Sequence, residues 1–222
     1  MPALIQGFAY DIFISYRQKD NKSEHWVTEF VNALKTELES TYKEDISIYF
    51  DENPHDVLQE HHDVDDSRRD KLKCLILIPI LSRTYCDPKS FAWENEFKVF
   101  LSQASKDEFG LKVKLLNGNV DSRILPVRIH DLPPDDQALF ESETGGVLRS
   151  IDFILKGPGI NRPLLRLDKK EDNANHTTYR DQVNKVANAI HEIITALNNP
   201  QIPGKQYSRW LLFIRSKLST NH

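Results

Sequence analysis

The sequence predicts a doubly wound α/β domain on a five-stranded parallel sheet. Three observations lead there. Short β-branched runs alternate with helically spaced apolar residues through most of the 222 residues. One run, residues 74–80, is apolar at every position, as in strands covered by helices on both faces. Strand–helix alternation repeated along a chain closes into a parallel sheet through right-handed crossovers. With 39% hydrophobic and 28% charged residues, the chain can fill a packed core and is not disordered in bulk.

The elements read in order. Residues 9–15 are the first strand. Val27, Phe30, Val31, Leu34 and Leu38 follow at helical spacing, with Asn21 or Ser23 as N-cap. Residues 46–50 are the second strand. A polar stretch from Asp51 to about Val64 holds Pro54 and His55, His61 and His62, and a short helix then runs to Lys71. Residues 74–80 are the third strand, with Pro79 tolerated where the ladder ends. Residues 90–104 are a helix whose stripe is Trp93, Phe97, Phe100 and Ala104. Asn117-Gly118 predicts a small two-residue hairpin inserted before the fourth strand, residues 124–129. Residues 150–155 are the fifth strand and 157–178 an irregular connection. Val183, Val186, Ile190, Ile193 and Leu197 mark the last helix. The domain spans 1–199, and 200–222 form a tail whose apolar cluster, Trp210 to Ile214, lies between Arg209 and Arg215.

Several function classes are disfavoured. The net charge of −4, with interspersed signs, provides no basic stripe for nucleic acid. No run approaches the roughly 18 to 20 apolar residues that cross a bilayer, and the N-terminus carries no signal-peptide pattern, so a cytoplasmic protein is expected. Cys74 and Cys86 lack metal-ligand spacing, and Cys74 reads as buried packing in a reducing compartment. Glycine-rich phosphate loops and the G-x-S-x-G elbow are missing. His191-Glu192 has Thr at 195 and fails the zinc-protease pattern, and Asp63-x-Asp65 reads as a carboxylate-rich helix start. No metal or resident cofactor is expected. His130, beside Asp131 at a strand end, is assigned no functional weight.

Ligands of doubly wound sheets bind beyond the carboxyl ends of the strands, where strand order reverses. With an order of 2-1-3-4-5, that point lies between the first and third strands. It gathers Ser15, Tyr16 and Arg17 with Ser82, Arg83, Thr84 and Tyr85, and the helix bearing Trp93, Glu94 and Glu96 starts just beyond. At about 100° per residue from Trp93, the apolar stripe centres near 20°, and both glutamates lie about 80° from it on opposite sides. Helical geometry therefore does not separate them.

Tyr10-Asp11-Ile12-Phe13-Ile14-Ser15-Tyr16-Arg17 resembles the opening box of Toll/interleukin-1 receptor (TIR) domains. Ile48-Tyr49-Phe50-Asp51 resembles the family's second strand entering its long BB loop. Leu81-Ser82-Arg83-Thr84-Tyr85, followed by Ser90-Phe91-Ala92-Trp93-Glu94-Asn95-Glu96-Phe97, resembles its third box. The resemblance covers roughly residues 8 to 197 and implies a flavodoxin-like fold. In the bacterial, enzymatic branch it implies cleavage of NAD, as substrate, into nicotinamide and ADP-ribose or a cyclic isomer, in a defence or signalling pathway. The family pattern, Trp-Cys-x-x-Glu before an apolar residue, places Glu96 as the catalytic carboxylate. This sequence departs from it, with tryptophan where cysteine is usual and alanine where tryptophan is usual.

The resemblance also implies that Arg17 faces the nucleotide phosphates and that Tyr16, Phe50 or Trp93 stack on rings, with Ser15, Asp51, Ser82 and Tyr85 lining the substrate site. Tyr16 and Phe50 read equally as packing residues. It further implies head-to-tail self-association through the loop 51–62 and a downstream or fused effector. Two alternatives stand beside this reading: a non-catalytic TIR–TIR adaptor, and a nucleoside deoxyribosyltransferase-like enzyme, which shares a similar sheet and a glutamate but fits the Phe-Ile-Ser-Tyr-Arg box less well.

Overall fold

The computed structural model describes residues 3–22, 24–51, 70–169 and 177–199. Ser23, most of the loop 51–62, the helix ending at Lys71 over most of its length, and the tail after 199 lie outside the described residues. Five strands form the main sheet: β1 (Tyr10–Ser15), β2 (Ile48–Tyr49), β3 (Cys74–Leu81), β6 (Val127–Arg128) and β7 (Ile151–Asp152). Their spatial order is β2-β1-β3-β6-β7, and every neighbouring pair is parallel. The sheet is doubly wound and parallel, as the strand–helix alternation predicts, and its order is the flavodoxin-like 2-1-3-4-5 expected from the resemblance.

All eight residues of β3 are buried. Because its side chains point alternately to both faces, each face must be covered. On one face lie α1 (Trp26–Thr41) and α4 (Thr177–Asn198), packed on Ile12, Ile14, Ile76, Ile78 and Val127. Trp26 stacks on Phe30 with centroids 5.2 Å apart, Phe153 meets both rings edge-on, and the Trp26 indole N–H donates to the Leu164 carbonyl at 2.9 Å. On the other face a π-helical turn (Ala92–Phe97), α2 (Lys98–Ala104) and α3 (Pro134–Thr144) contribute Trp93, Phe97, Phe100 and Phe140 against Phe13, Leu77 and Leu81.

Asn21 serves α1 as expected of a cap, although it lies outside the first turn: its Oδ1 accepts from the N–H groups of Val27 and Thr28. The second strand is shorter than its apolar run, because it is an edge strand. Ser47 is diverted to the buried Asp11, whose Oδ2 accepts from the Ser47 N–H at 2.8 Å and from its hydroxyl at 2.6 Å. Between α2 and β6, β4 (Lys112–Lys114) and β5 (Val120–Ser122) form the expected hairpin. Its loop has three residues, 116–118, rather than two, since Leu115 still donates to the Asn119 carbonyl and Gly118 takes φ 89°.

Two elements were not expected. The connection 157–178 begins as a hairpin, β8 (Ile154–Gly157) with β9 (Ile160–Pro163), turning on Pro158-Gly159. Proline presets φ for the first turn position, and Gly159 supplies φ 73° at the second. The helix α3 buries only Phe140, so it has no apolar stripe to read. Its signals are terminal instead: Pro134, Asp135 and Asp136 in the first turn, and Gly145 in the left-handed conformation at its end.

The amino end of β3 is held by Arg123, which is fully buried. Its guanidinium donates to the carbonyls of Leu75, Cys74 and Gly110 and to Asp107 Oδ2 at 2.6 Å. It also lies between the rings of Phe8, Phe100 and Phe109. A buried charge with all its partners persists, whereas removing one side strands the other. Replacing Arg123 with Ala should lower stability by about 3 to 5 kcal/mol, read as an earlier urea midpoint at unchanged slope.

Candidate functional site at the carboxyl ends of β1 and β3

In β1, Ile12 and Ile14 join the α1 face, so the alternation sends Phe13 and Ser15 to the other. Ser15 is completely buried, and its hydroxyl donates to Glu96 Oε2 at 2.7 Å. The Tyr85 hydroxyl lies 2.8 Å from the Ser15 Oγ. Since the serine proton is directed at the carboxylate, the phenol is the donor, and a chain runs Tyr85 to Ser15 to Glu96. Burial, reinforced by the charge of Glu96, pushes the Tyr85 phenol well above its ordinary value, against the hydrogen bond with Ser15. The phenol stays protonated and keeps the chain directed at the carboxylate.

Glu96 belongs to the π-helical turn, where the Lys98 N–H bonds to the Trp93 carbonyl, five residues back. The wider turn changes the angular spacing on which the two glutamates look equivalent. Trp93 and Phe97 go into the core, Glu96 is half-buried against Ser15, and Glu94 is exposed. Ser90 holds the start of the turn: its hydroxyl accepts from the Trp93 N–H at 3.1 Å.

The remaining predicted residues fall into groups. Arg17 donates to the Thr84 carbonyl at 3.2 Å and to Asp87 Oδ2 at 3.3 Å, tying the loop after β1 to the loop after β3. It thus has a structural partner, and a phosphate there would compete with Asp87. Ser82 is buried, and its Oγ accepts from the Thr84 N–H at 3.2 Å. Trp93 is buried, with its ring centroid 4.7 Å from that of Phe97 and its plane nearly perpendicular to that of Tyr85. Tyr16 is buried, and its hydroxyl donates to the Asp51 carbonyl, linking the ends of β1 and β2. Phe50 packs on the α1 face, with the Lys35 ammonium 5.6 Å above its ring. Ser15, Tyr85 and Glu96 therefore form one connected set, Arg17 and Ser82 lie in the adjoining loops, and Phe50 lies on the opposite face.

Two further polar groups of the crevice carry no motif: Asp20, which the sequence does not single out, and His130, to which it assigns no functional weight. Asp20 sits on the turn Gln18–Asn21 after β1, where its N–H donates to the Arg17 carbonyl at 2.8 Å. His130 follows β6 and Ile129, whose N–H donates to the Leu81 carbonyl at 3.0 Å. Asp20 Oδ2 and His130 Nδ1 are both buried without a hydrogen-bond partner. Burial pushes the Asp20 carboxyl above its ordinary value, opposed by the Ser82 hydroxyl and by Lys19, His130 and Arg17. Burial, with Arg83, pushes the His130 imidazole below its own, opposed by Asp20. Only the tertiary neighbourhood distinguishes these residues from surface polar ones.

A separate groove of about 370 Å³ lies at the amino ends of β1 and β2, lined by Tyr42, Lys35, Lys43 and Glu39 among others. It holds charges of both signs and no connected acid–base set, so the crevice at the carboxyl ends is the better candidate. Fold and crevice together define a doubly wound α/β protein with a carboxylate-centred polar site at its switch point. The chain is similar to the TIR domains in the structure of the activated Roq1 resistosome directly recognizing the pathogen effector XopQ. That likeness is 16% in identity, covers 81% of this chain and 84% of that one, and has a TM-score of 0.36. No protein-family model and no curated protein matches the chain. At so distant a likeness, function is read from the site's own geometry.

The raised carboxyl of Asp20 has a consequence for stability. Its unfolded form releases the proton at lower pH than the folded form, so ionised Asp20 costs folding free energy above the ordinary carboxylate range. Asp20→Asn should raise the melting temperature at neutral pH, with the gain fading as pH falls from the raised value to the ordinary carboxylate value. The thiols provide a second check. Burial pushes Cys74 and Cys86 each up to about 12, so neither should react with an alkylating reagent at neutral pH until the chain unfolds.

Proposed function

We propose that the chain cleaves NAD at the bond between nicotinamide and ribose, as an enzyme of the TIR kind. The observation that carries this reading is the half-buried Glu96 carboxylate, fixed by Ser15 at 2.7 Å at the carboxyl end of β1. As nicotinamide leaves, the ribose becomes oxocarbenium-like and positive charge develops at the sugar. A carboxylate already oriented, with little freedom left to lose, stabilises that charge more in the transition state than in the ground state. Glycoside hydrolysis uses the same physics. Nicotinamide departs neutral, so the leaving group needs no general acid. Tyr85 acts through Ser15 as a positioning residue. The products are nicotinamide and ADP-ribose or a cyclic isomer.

Self-association through the loop 51–62 belongs to this reading. A head-to-tail contact does not close on itself and can extend into a filament that brings a neighbouring copy to each site. A second reading, a TIR–TIR adaptor without turnover, is favoured by the engagement of Arg17 with Asp87 and of Glu96 with Ser15, which gives both side chains structural roles.

Nicotinamide release from NAD, measured at high protein concentration, separates the two. Glu96→Ala should lower the rate by about 100-fold or more, as when a single preorganised electrostatic group is removed. Glu94→Ala should leave it close to wild type. Ser15→Ala should lower it by about tenfold, since the carboxylate is retained but loses its orienting bond. Activity per protein should rise with concentration. A wild type that is assembled but inert supports the adaptor.

A further inference from the structure

Asp20, Ser82 and His130 follow β1, β3 and β6, which are neighbours in the sheet, so the topology brings all three to one end of it. The β8–β9 hairpin is fastened over the same end. Arg83 donates to the Asn161 carbonyl at 3.2 Å, the Asp131 N–H donates to Asn161 Oδ1 at 3.4 Å, and Lys156 pairs with Asp131 at 2.8 Å. Asp20 Oδ2 and His130 Nδ1, each acting electrostatically on the other, are buried without hydrogen-bond partners. A buried polar atom without a partner costs free energy and calls for an explanation. A carboxylate oxygen accepts, and an imidazole that burial and Arg83 keep neutral can also accept. Two acceptors beside one crevice suit a small molecule with two donors, and water is the smallest that has them.

We propose that Asp20 and His130 hold the attacking water of the NAD cleavage, with His130 Nδ1 taking its proton. The inference rests on the NAD-cleaving reading above. In the step, the C1′–N bond breaks and its electron pair leaves with nicotinamide. The water oxygen forms the new C1′–O bond, one water proton passes to His130, and solvent later receives it. Nothing is oxidised or reduced. Asp20 accepts the second water proton as a hydrogen bond and favours the imidazolium that forms. The charged groups around the pair are Lys19 and Arg17 beside Asp20 and Arg83 beside His130. Glu96 and this pair then divide the work: the glutamate promotes departure of nicotinamide, and the pair selects which nucleophile captures the sugar.

The test uses a competing nucleophile that has no proton to lose. A substituted pyridine such as 3-acetylpyridine captures the sugar through its ring nitrogen and gives an exchanged dinucleotide without a base. Water needs one. With NAD and the pyridine together, His130→Gln and Asp20→Asn should each lower the ratio of ADP-ribose to exchanged dinucleotide by about tenfold or more. A residue that only shapes the site would change both products alike. An unchanged ratio in both variants, with wild type active and Glu96→Ala inactive, overturns this inference and leaves the NAD-cleaving reading standing. A wild type that releases no nicotinamide overturns that reading instead. If melting curves show that neither variant folds, the wild-type ratio is followed from about pH 8 down past the ordinary imidazole value to the lowest pH at which the fold persists. It should fall as pH drops and His130 gains its proton, and a flat ratio overturns the proposal.

Discussion

The structure depends on the burial of β3. A strand whose eight residues are all buried has no face to offer water, so the chain must lay helices on both sides of it. That demand makes the sheet doubly wound: α1 and α4 cover one face, and the π-helical turn with α2 and α3 covers the other. The crossovers after β1 and β3 therefore leave in opposite directions, and a crevice opens between their carboxyl ends. The site is a consequence of covering an apolar strand twice.

The two ends of that strand are stabilised by different means. At the amino end, Arg123 is satisfied by three carbonyls, a carboxylate and three aromatic rings, an arrangement complete in itself. At the carboxyl end the polar groups are only partly satisfied. The Tyr85–Ser15–Glu96 chain is directed, yet Asp20 and His130 have buried atoms with no partner, and burial works against the charged form of each. Polar groups left poised in this way are characteristic of sites that meet a ligand. Rigidity at one end supports an electrostatically unfinished crevice at the other.

The π-helical turn shows how local backbone chemistry reaches the site. An α-helix through residues 90–104 would leave Glu94 and Glu96 equivalent about the apolar stripe. The five-residue bond from Lys98 to Trp93 widens one turn, so that Trp93 and Phe97 enter the core while Glu96 meets Ser15. Tyr85, which bonds Ser15, is fixed in turn by its perpendicular contact with Trp93 at 6.2 Å. The choice between two carboxylates is made by one extra residue in a turn.

By itself the sequence determined what depends on periodicity and local conformation: the strands, α1 and α4 by their apolar spacing, the β4–β5 hairpin by Asn117-Gly118, and hence a doubly wound parallel sheet. The stretch that resembles the family's third box was also legible, because it is contiguous. Local signals for α3 and the β8–β9 hairpin were present in proline and glycine, but they are terminal signals with no apolar pattern between them. Tertiary structure alone decided the partners of polar side chains. Arg123 reads as a surface cation until the chain closes around it, Phe50 joins the face opposite Glu96 by pleat alternation, and Asp20 and His130, 110 positions apart by number, become neighbours because β1 and β6 flank the same strand. Apolar burial follows a local period, whereas the meeting of two distant polar groups depends on the register and order of strands.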